Sequence, residues 1–250
     1  MCDLQVSFAY TEDLELDKFI MEQLWQASGW VQQNSFGYLK RLKVWYCDTL
    51  VHVIPSHLLS CFHNLEELDV RDCEAAQVIF NINDEKRVMT KPSGIFRLKI
   101  LSLDNLPNLD HVWEKDPEGI ICLQLLKEMK VDYCERLKSL FPASLATRDL
   151  TTLEVINCAE LREIFGKDEK VGEGEEGTTQ HSAFPSLTTL TLEDLPSLKY
   201  SIHCSKQQVI LSHTIQNYFI FIYAYAHYPF LLLFISFLKS IFLYINTFIN

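Results

Sequence analysis

Residues 126–142 read L-K-E-M-K-V-D-Y-C-E-R-L-K-S-L-F-P, and the spacing of their apolar residues decides the fold. Leu126, Met129, Val131, Cys134, Leu137 and Leu140 are the apolar positions. Met129 and Val131 alternate as in a strand. Leu126 and Leu137 sit outside that alternation, as in a chain that turns and tucks back under itself. A unit this short cannot bury its apolar side alone and needs copies stacked against it.

The copies are present. Leu39, Leu42, Val44, Cys47 and Leu50 form one, followed by Val53-Ile54-Pro55. Leu65, Leu68, Val70 and Cys73 form the next, ending in Val78-Ile79-Phe80. Leu98, Leu101, Leu103 and Leu106 follow, with Pro107, Leu109 and Val112-Trp113. After residues 126–142 come Leu150, Leu153, Val155, Cys158, Leu161 and Ile164-Phe165, then Leu187, Leu190, Leu192, Leu195, Pro196 and Leu198. The anchors Cys47, Cys73, Leu106, Cys134, Cys158 and Leu195 are 26, 33, 28, 24 and 37 residues apart. Those intervals centre on the period of about 20–29 residues that marks leucine-rich repeats. The anchor type itself recurs as Cys, Cys, Leu-Pro, and the two Leu-Pro anchors lie 89 residues apart, which indicates a duplicated triplet.

The expected architecture is therefore an α/β repeat of leucine-rich-repeat type. It is a horseshoe-like solenoid with a parallel sheet on its concave side, few regular helices, and a hydrophobic C-terminal tail. Residues 1–35 read as a degenerate first repeat and 36–199 as the solenoid. Segments 81–94 and 166–183, polar and rich in charge or glycine, read as loop inserts. Residues 200–250 are the tail, in which 218–238 carries no charge and is long enough to span a bilayer. Pro229 at its middle, and Tyr spread through it, fit a spanning helix poorly. The composition favours a retained intron or mis-spliced end over a transmembrane tail, and that over a hydrophobic cap.

Charge narrows the function. Residues 1–199 hold 20 basic and 33 acidic groups, a balance that repels a phosphate backbone and argues against nucleic-acid binding. No signal peptide and no N-x-S/T sequon occur, which favours a reducing, cytoplasmic setting in which the cysteines stay thiols. The stretch Gly172-Glu-Gly174-Glu-Glu-Gly177 matches G-x-G-x-x-G, but Glu173, Glu175 and Glu176 would repel pyrophosphate. No C-x-x-C or H-E-x-x-H occurs, so the anchor cysteines read as small apolar fillers of a tight turn rather than metal or disulfide sites. The reading is of a protein with no enzymatic activity, no cofactor and no metal.

Residues between and beside the apolar strand positions point to the other face. The expected partner-binding positions are Arg41, Lys43 and Trp45, then Glu67, Asp69 and Arg71, then Ser102 and Asp104, Lys130 and Asp132, and Glu154. Ile100 and Ile156 are apolar where water is expected, and Trp45 beside Arg71 is the most anchor-like pair.

Three blocks carry a family likeness: N-S-F-G-Y-L-K-R-L-K-V-W-Y-C at 34–47, F-R-L-K-I-L-S-L-D-N-L-P-N-L-D-H-V-W at 96–113, and F-P-S-L-T-T-L-T-L-E-D-L-P-S-L-K at 184–199. They resemble the C-terminal repeats of plant intracellular disease-resistance proteins of the coiled-coil, nucleotide-binding, leucine-rich-repeat type. The resemblance implies a protein-recognition module in defence, sensing a pathogen effector or a modified host protein. The family's coiled coil and nucleotide-binding domain are absent, so ATP-driven switching is not expected of this chain alone. Two alternatives stand beside it. One is the substrate-recognition arm of a ubiquitin-ligase adaptor, for which residues 1–35 supply no F-box. The other is a membrane-anchored repeat protein, if the tail is genuine.

Overall fold

The computed structural model describes residues 10–18, 36–82, 97–114, 125–142, 148–165, 184–198 and 209–210. The chain opens with β1 (Asp13–Asp17). Paired long and short strands follow: β2 (Arg41–Trp45) with β3 (His52–Ile54), and β4 (Glu67–Arg71) with β5 (Val78–Phe80). Next are β6 (Ile100–Asp104) with β7 (His111–Trp113), and β8 (Glu128–Asp132) with β9 (Ser139–Phe141). Then come β10 (Thr152–Ile156) with β11 (Glu163–Phe165), β12 (Thr189–Glu193) and β13 (Val209–Ile210). One 3-10 helix, Ser56–Phe62, is the helical element among the described residues, in keeping with the few helices expected.

The long strands form one eight-stranded sheet in the order β1-β2-β4-β6-β8-β10-β12-β13, parallel throughout. The register never slips between repeats. Leu42 faces Leu68, which faces Leu101, then Met129, Leu153 and Leu190. Val44, Val70, Leu103, Val131, Val155 and Leu192 form the second inner row. All these side chains are buried in one continuous core. A slip of one residue would turn the whole apolar row outward, which is why the register is so strongly specified. β13 falls in the stretch 200–250 assigned above to the tail, and its backbone pairs with Leu190 and Thr191.

Each long strand from β1 to β12 ends in the same manoeuvre. Lys18, Tyr46, Asp72, Asn105, Tyr133, Asn157 and Asp194 have φ between 50° and 55°, the left-handed region. The reversal drops the very next residue inward as the anchor, and a tight turn closes behind it. Leu50 donates its N–H to the Cys47 carbonyl at 3.1 Å, and Leu137 to that of Cys134 at 3.2 Å. Where the anchor is leucine, Pro107 and Pro196 occupy the second position of the same turn, where their fixed φ is already correct. Asn and Asp tolerate the left-handed region, whereas Tyr46 and Tyr133 are bulky exceptions.

The apolar pairs that trail each repeat form further sheets, which the sequence pattern does not announce. β3, β5 and β7 make one parallel sheet, and β9 and β11 another. Here Phe80 and Trp113 stack at 4.4 Å with planes 3° apart, and Trp113 Nε1 donates to the Leu140 carbonyl at 3.3 Å. Phe36 and Phe62 stack in the same way at 4.9 Å. Among the described residues no helix is long and apolar enough to cross a membrane, and residues 218–238 lie outside them. Of the insert expected at 81–94, Asn81 and Ile82 are described, with Ile82 packed against the core, and 83–94 lies outside the described residues, as do 166–183 and the glycine motif 172–177 within it.

Candidate functional site

The inner side of the long sheet is occupied by core, so its chemistry is closed. Cys47, Cys61, Cys73, Cys134 and Cys158 are buried and carry no disulfide. Cys73 Sγ accepts the backbone N–H of Cys47 at 3.3 Å and donates to the carbonyls of Arg71 and Val44 at 3.2 and 3.6 Å. Cys134 and Cys158 donate to the carbonyls two residues back, at 3.5 and 3.2 Å. The Cys47 side chain and then burial push the Cys73 thiol far up, against the Cys47 backbone N–H, which lowers it; burial and the neighbouring Cys158 push Cys134 up as well. A raised pKa favours the protonated form of Cys73 and Cys134, which is the poorer nucleophile. Among the described residues no cluster of His, Cys, Asp or Glu is arranged to hold a metal ion.

The opposite face presents three registered rows. The first runs Asp13, Arg41, Glu67, Ile100, Glu128, Thr152 and Thr189. The second runs Glu15, Lys43, Asp69, Ser102, Lys130, Glu154 and Thr191. The third runs Asp17, Trp45, Arg71, Asp104, Asp132, Ile156 and Glu193. Every residue expected on this face falls in one of these rows, Asp69 buried within its own, and the parallel register sets residues of successive repeats side by side.

Each cation of the face is matched within the face. Arg41 bonds Asp13, which raises the guanidinium pKa and lowers that of the carboxyl. Lys43 lies 3.8 Å from Glu15, and Arg71 Nε lies 2.8 Å from Asp69. Lys130 lies 3.0 Å from Glu128 and 3.6 Å from Glu154, which raises the ammonium pKa. Asp69 is 5% exposed, so Arg71 screens it from the surface. Trp45 is capped as well: Lys43 Nζ sits 5.0 Å and the Arg71 guanidinium 5.6 Å from its ring centroid. Its indole N–H is buried without an acceptor among the described residues.

Carboxylates remain over. Asp104 and Asp132 are registered neighbours with no cation at ion-pair distance among the described residues. Burial, and then the charge of Asp132, hold the Asp104 carboxyl above its ordinary value despite Arg71 nearby. Among the described residues Asp132 is served by a neutral donor, Asn157 Nδ2 at 3.0 Å. Along the rim lie the left-handed residues that sequence reasoning missed. Their signal was available: the position before each anchor is Tyr, Asp, Asn, Tyr, Asn or Asp. Tyr46 and Tyr133 are 48% and 52% exposed. Lys18 Nζ lies 5.5 Å from the Tyr46 ring centroid, and Asp72 beside it raises the phenol pKa.

A family model described as plant disease resistance protein RPS2-like, leucine-rich repeats, matches residues 10–148, more than half of the chain. The chain belongs to this family. The leucine-rich-repeat solenoid expected from residues 34–47 and 96–113 is the fold the structure has, and block 184–199, beyond the matched span, supplies the same strand and turn. A relative in Arabidopsis thaliana, "Probable disease resistance protein At4g27220", is 26% identical over 141 residues. The match covers 56% of this chain and 15% of the relative's own length. No solved structure matches the chain.

Proposed function

We propose that the chain is a non-catalytic recognition module of plant defence. Its partner is a protein, a pathogen effector or a host protein that an effector has modified, met in the cytoplasm by the open face of the long sheet. Arg41, Lys43, Trp45, Glu67, Arg71, Ser102, Asp104, Lys130, Asp132 and Glu154 supply the contact surface. The observation that carries the reading is the division of labour across each strand. The inner rows are consumed by the core, whereas the open rows are mostly polar, registered and, apart from Asp69, at least partly exposed. An extended, preformed sheet face suits protein recognition because binding it orders little further chain.

Proximity labelling in leaf tissue tests this, comparing the chain with Glu128→Lys/Glu154→Lys, which leaves the inner rows untouched. Proteins enriched with the chain and lost with the variant are expected. An identical labelled set for both would overturn the reading.

A further inference from the structure

We infer that the middle of the open face, at Asp104, Asp132 and Tyr133, receives a lysine- or arginine-bearing segment of the protein partner. The inference rests on the proposed recognition role of this face. Charge complementarity carries it first. All four cations of the face already have carboxylate partners within it, so its surplus is negative and concentrated where Asp104 and Asp132 stand side by side.

A comparison inside the molecule carries it further. Tyr46 and Tyr133 hold the same place in their repeats, one residue past the strand and in the left-handed region, with φ of 55° and 50°. At Tyr46 the flanking rim residues are Lys18 and Asp72, and the Lys18 ammonium lies over the ring. The chain thus fills its own cation position there. At Tyr133 the flanking rim residues are Asn105 and Asn157, both neutral, and their amides are turned onto Asp72 and Asp132. No cation lies over the Tyr133 ring among the described residues, although Asp132 immediately precedes it in the chain and stands in register with Asp104. An exposed aromatic face next to surplus carboxylates is the environment a guanidinium or ammonium prefers. Trp45 shows the same preference satisfied from within, by Lys43 and Arg71.

The test is fluorescence anisotropy of a labelled hexa-arginine peptide titrated with the full chain, with hexaglutamate as the opposite charge. Asp104→Asn/Asp132→Asn is expected to weaken hexa-arginine about tenfold, and Tyr133→Ala about three- to fivefold, while Tyr133→Phe keeps the ring and stays within about twofold. Asp48→Asn/Glu74→Gln removes the same charge from exposed turns elsewhere and is expected to change binding less than about twofold. Circular dichroism confirms that each variant is folded, and Tyr133→Phe against Tyr133→Ala separates the ring from any effect on the turn. Equal weakening by the two charge-matched pairs, or no effect of Tyr133→Ala, would overturn the assignment. A face-dependent labelled set in leaf tissue alongside such a negative result would overturn the basic-segment assignment alone and leave the recognition role standing.

Discussion

The β2–β4 end of the long sheet and its β6–β8 middle are alike on one side and unlike on the other. Inside, both offer the same registered rows, Leu42 and Leu68 against Leu101 and Met129, all fully buried. Outside, the cations of β2 and β4 are matched: Arg41 and Lys43 find Asp13 and Glu15 on β1, Arg71 finds Asp69 on its own strand, and Trp45 is capped by cations. β6 and β8 leave Asp104 and Asp132 facing each other and Tyr133 bare of cations among the described residues. One repeat rule therefore governs packing at both places, and the outer positions are free to differ. Core packing and the proposed contact surface are written on alternate residues of the same strand.

The largest effects test the sameness of the inner side. Leu42→Ala and Leu101→Ala should each lose about 2–5 kcal/mol in chemical denaturation, and within about 1 kcal/mol of each other. Markedly unequal losses would mean that the two regions do not share one packing rule. The thiols offer a second check on that side. In the folded chain at pH 8, iodoacetamide should leave Cys47, Cys73, Cys134 and Cys158 unmodified over a period that fully labels them in denaturant, read by peptide mass mapping. Prompt labelling of Cys134 alone would separate the middle from the end.

Smaller effects test the difference outside. Tyr133→Asn should stabilise the chain by about 1 kcal/mol, because a bulky side chain leaves the left-handed region. Tyr46→Asn should gain less, since it also gives up the contact with Lys18, worth about 0.5–1 kcal/mol at an exposed site. Equal gains would show that the Lys18 contact contributes nothing. The smallest effect belongs to Asp104. Its folded pKa lies above its unfolded value, so the fold binds the proton more tightly. Ionisation therefore lowers stability as pH rises from the unfolded value of about 3.9 through the raised folded value. Asp104→Asn should stabilise at pH 7 by less than about 1 kcal/mol after solvent screening, and the difference should vanish below about pH 3.5. A gain that persists in acid would point to packing, and Asp132 would then not be the cause.

Much of this was legible in the residues. The spacing L-x-x-L-x-V-x-x-C located each long strand from β2 to β12 and told its two faces apart, because period-two alternation interrupted by a turn has few other solutions. The residues of the open face followed from the same alternation. Three things did not follow. The trailing pairs such as Val53-Ile54 and Val112-Trp113 were visible as apolar, but three-residue strands leave no alternation to read, and only their neighbours make them sheets. The left-handed rim was hidden because tyrosine alternates there with Asn and Asp. Asp69 looked as open as Glu67, yet it is buried because Arg71 on its own strand lies over it.

The sequence by itself determined the repeat, the register and the closed inner side, because each depends on which residues are apolar and how far apart they stand. Tertiary structure alone decided which charges on the open face are spent on one another and which remain, since partners such as Lys43 and Glu15 or Asp104 and Asp132 lie 28 residues apart in the chain. Stacking sets them side by side, at separations where Coulomb attraction and repulsion act; along the chain they are strangers.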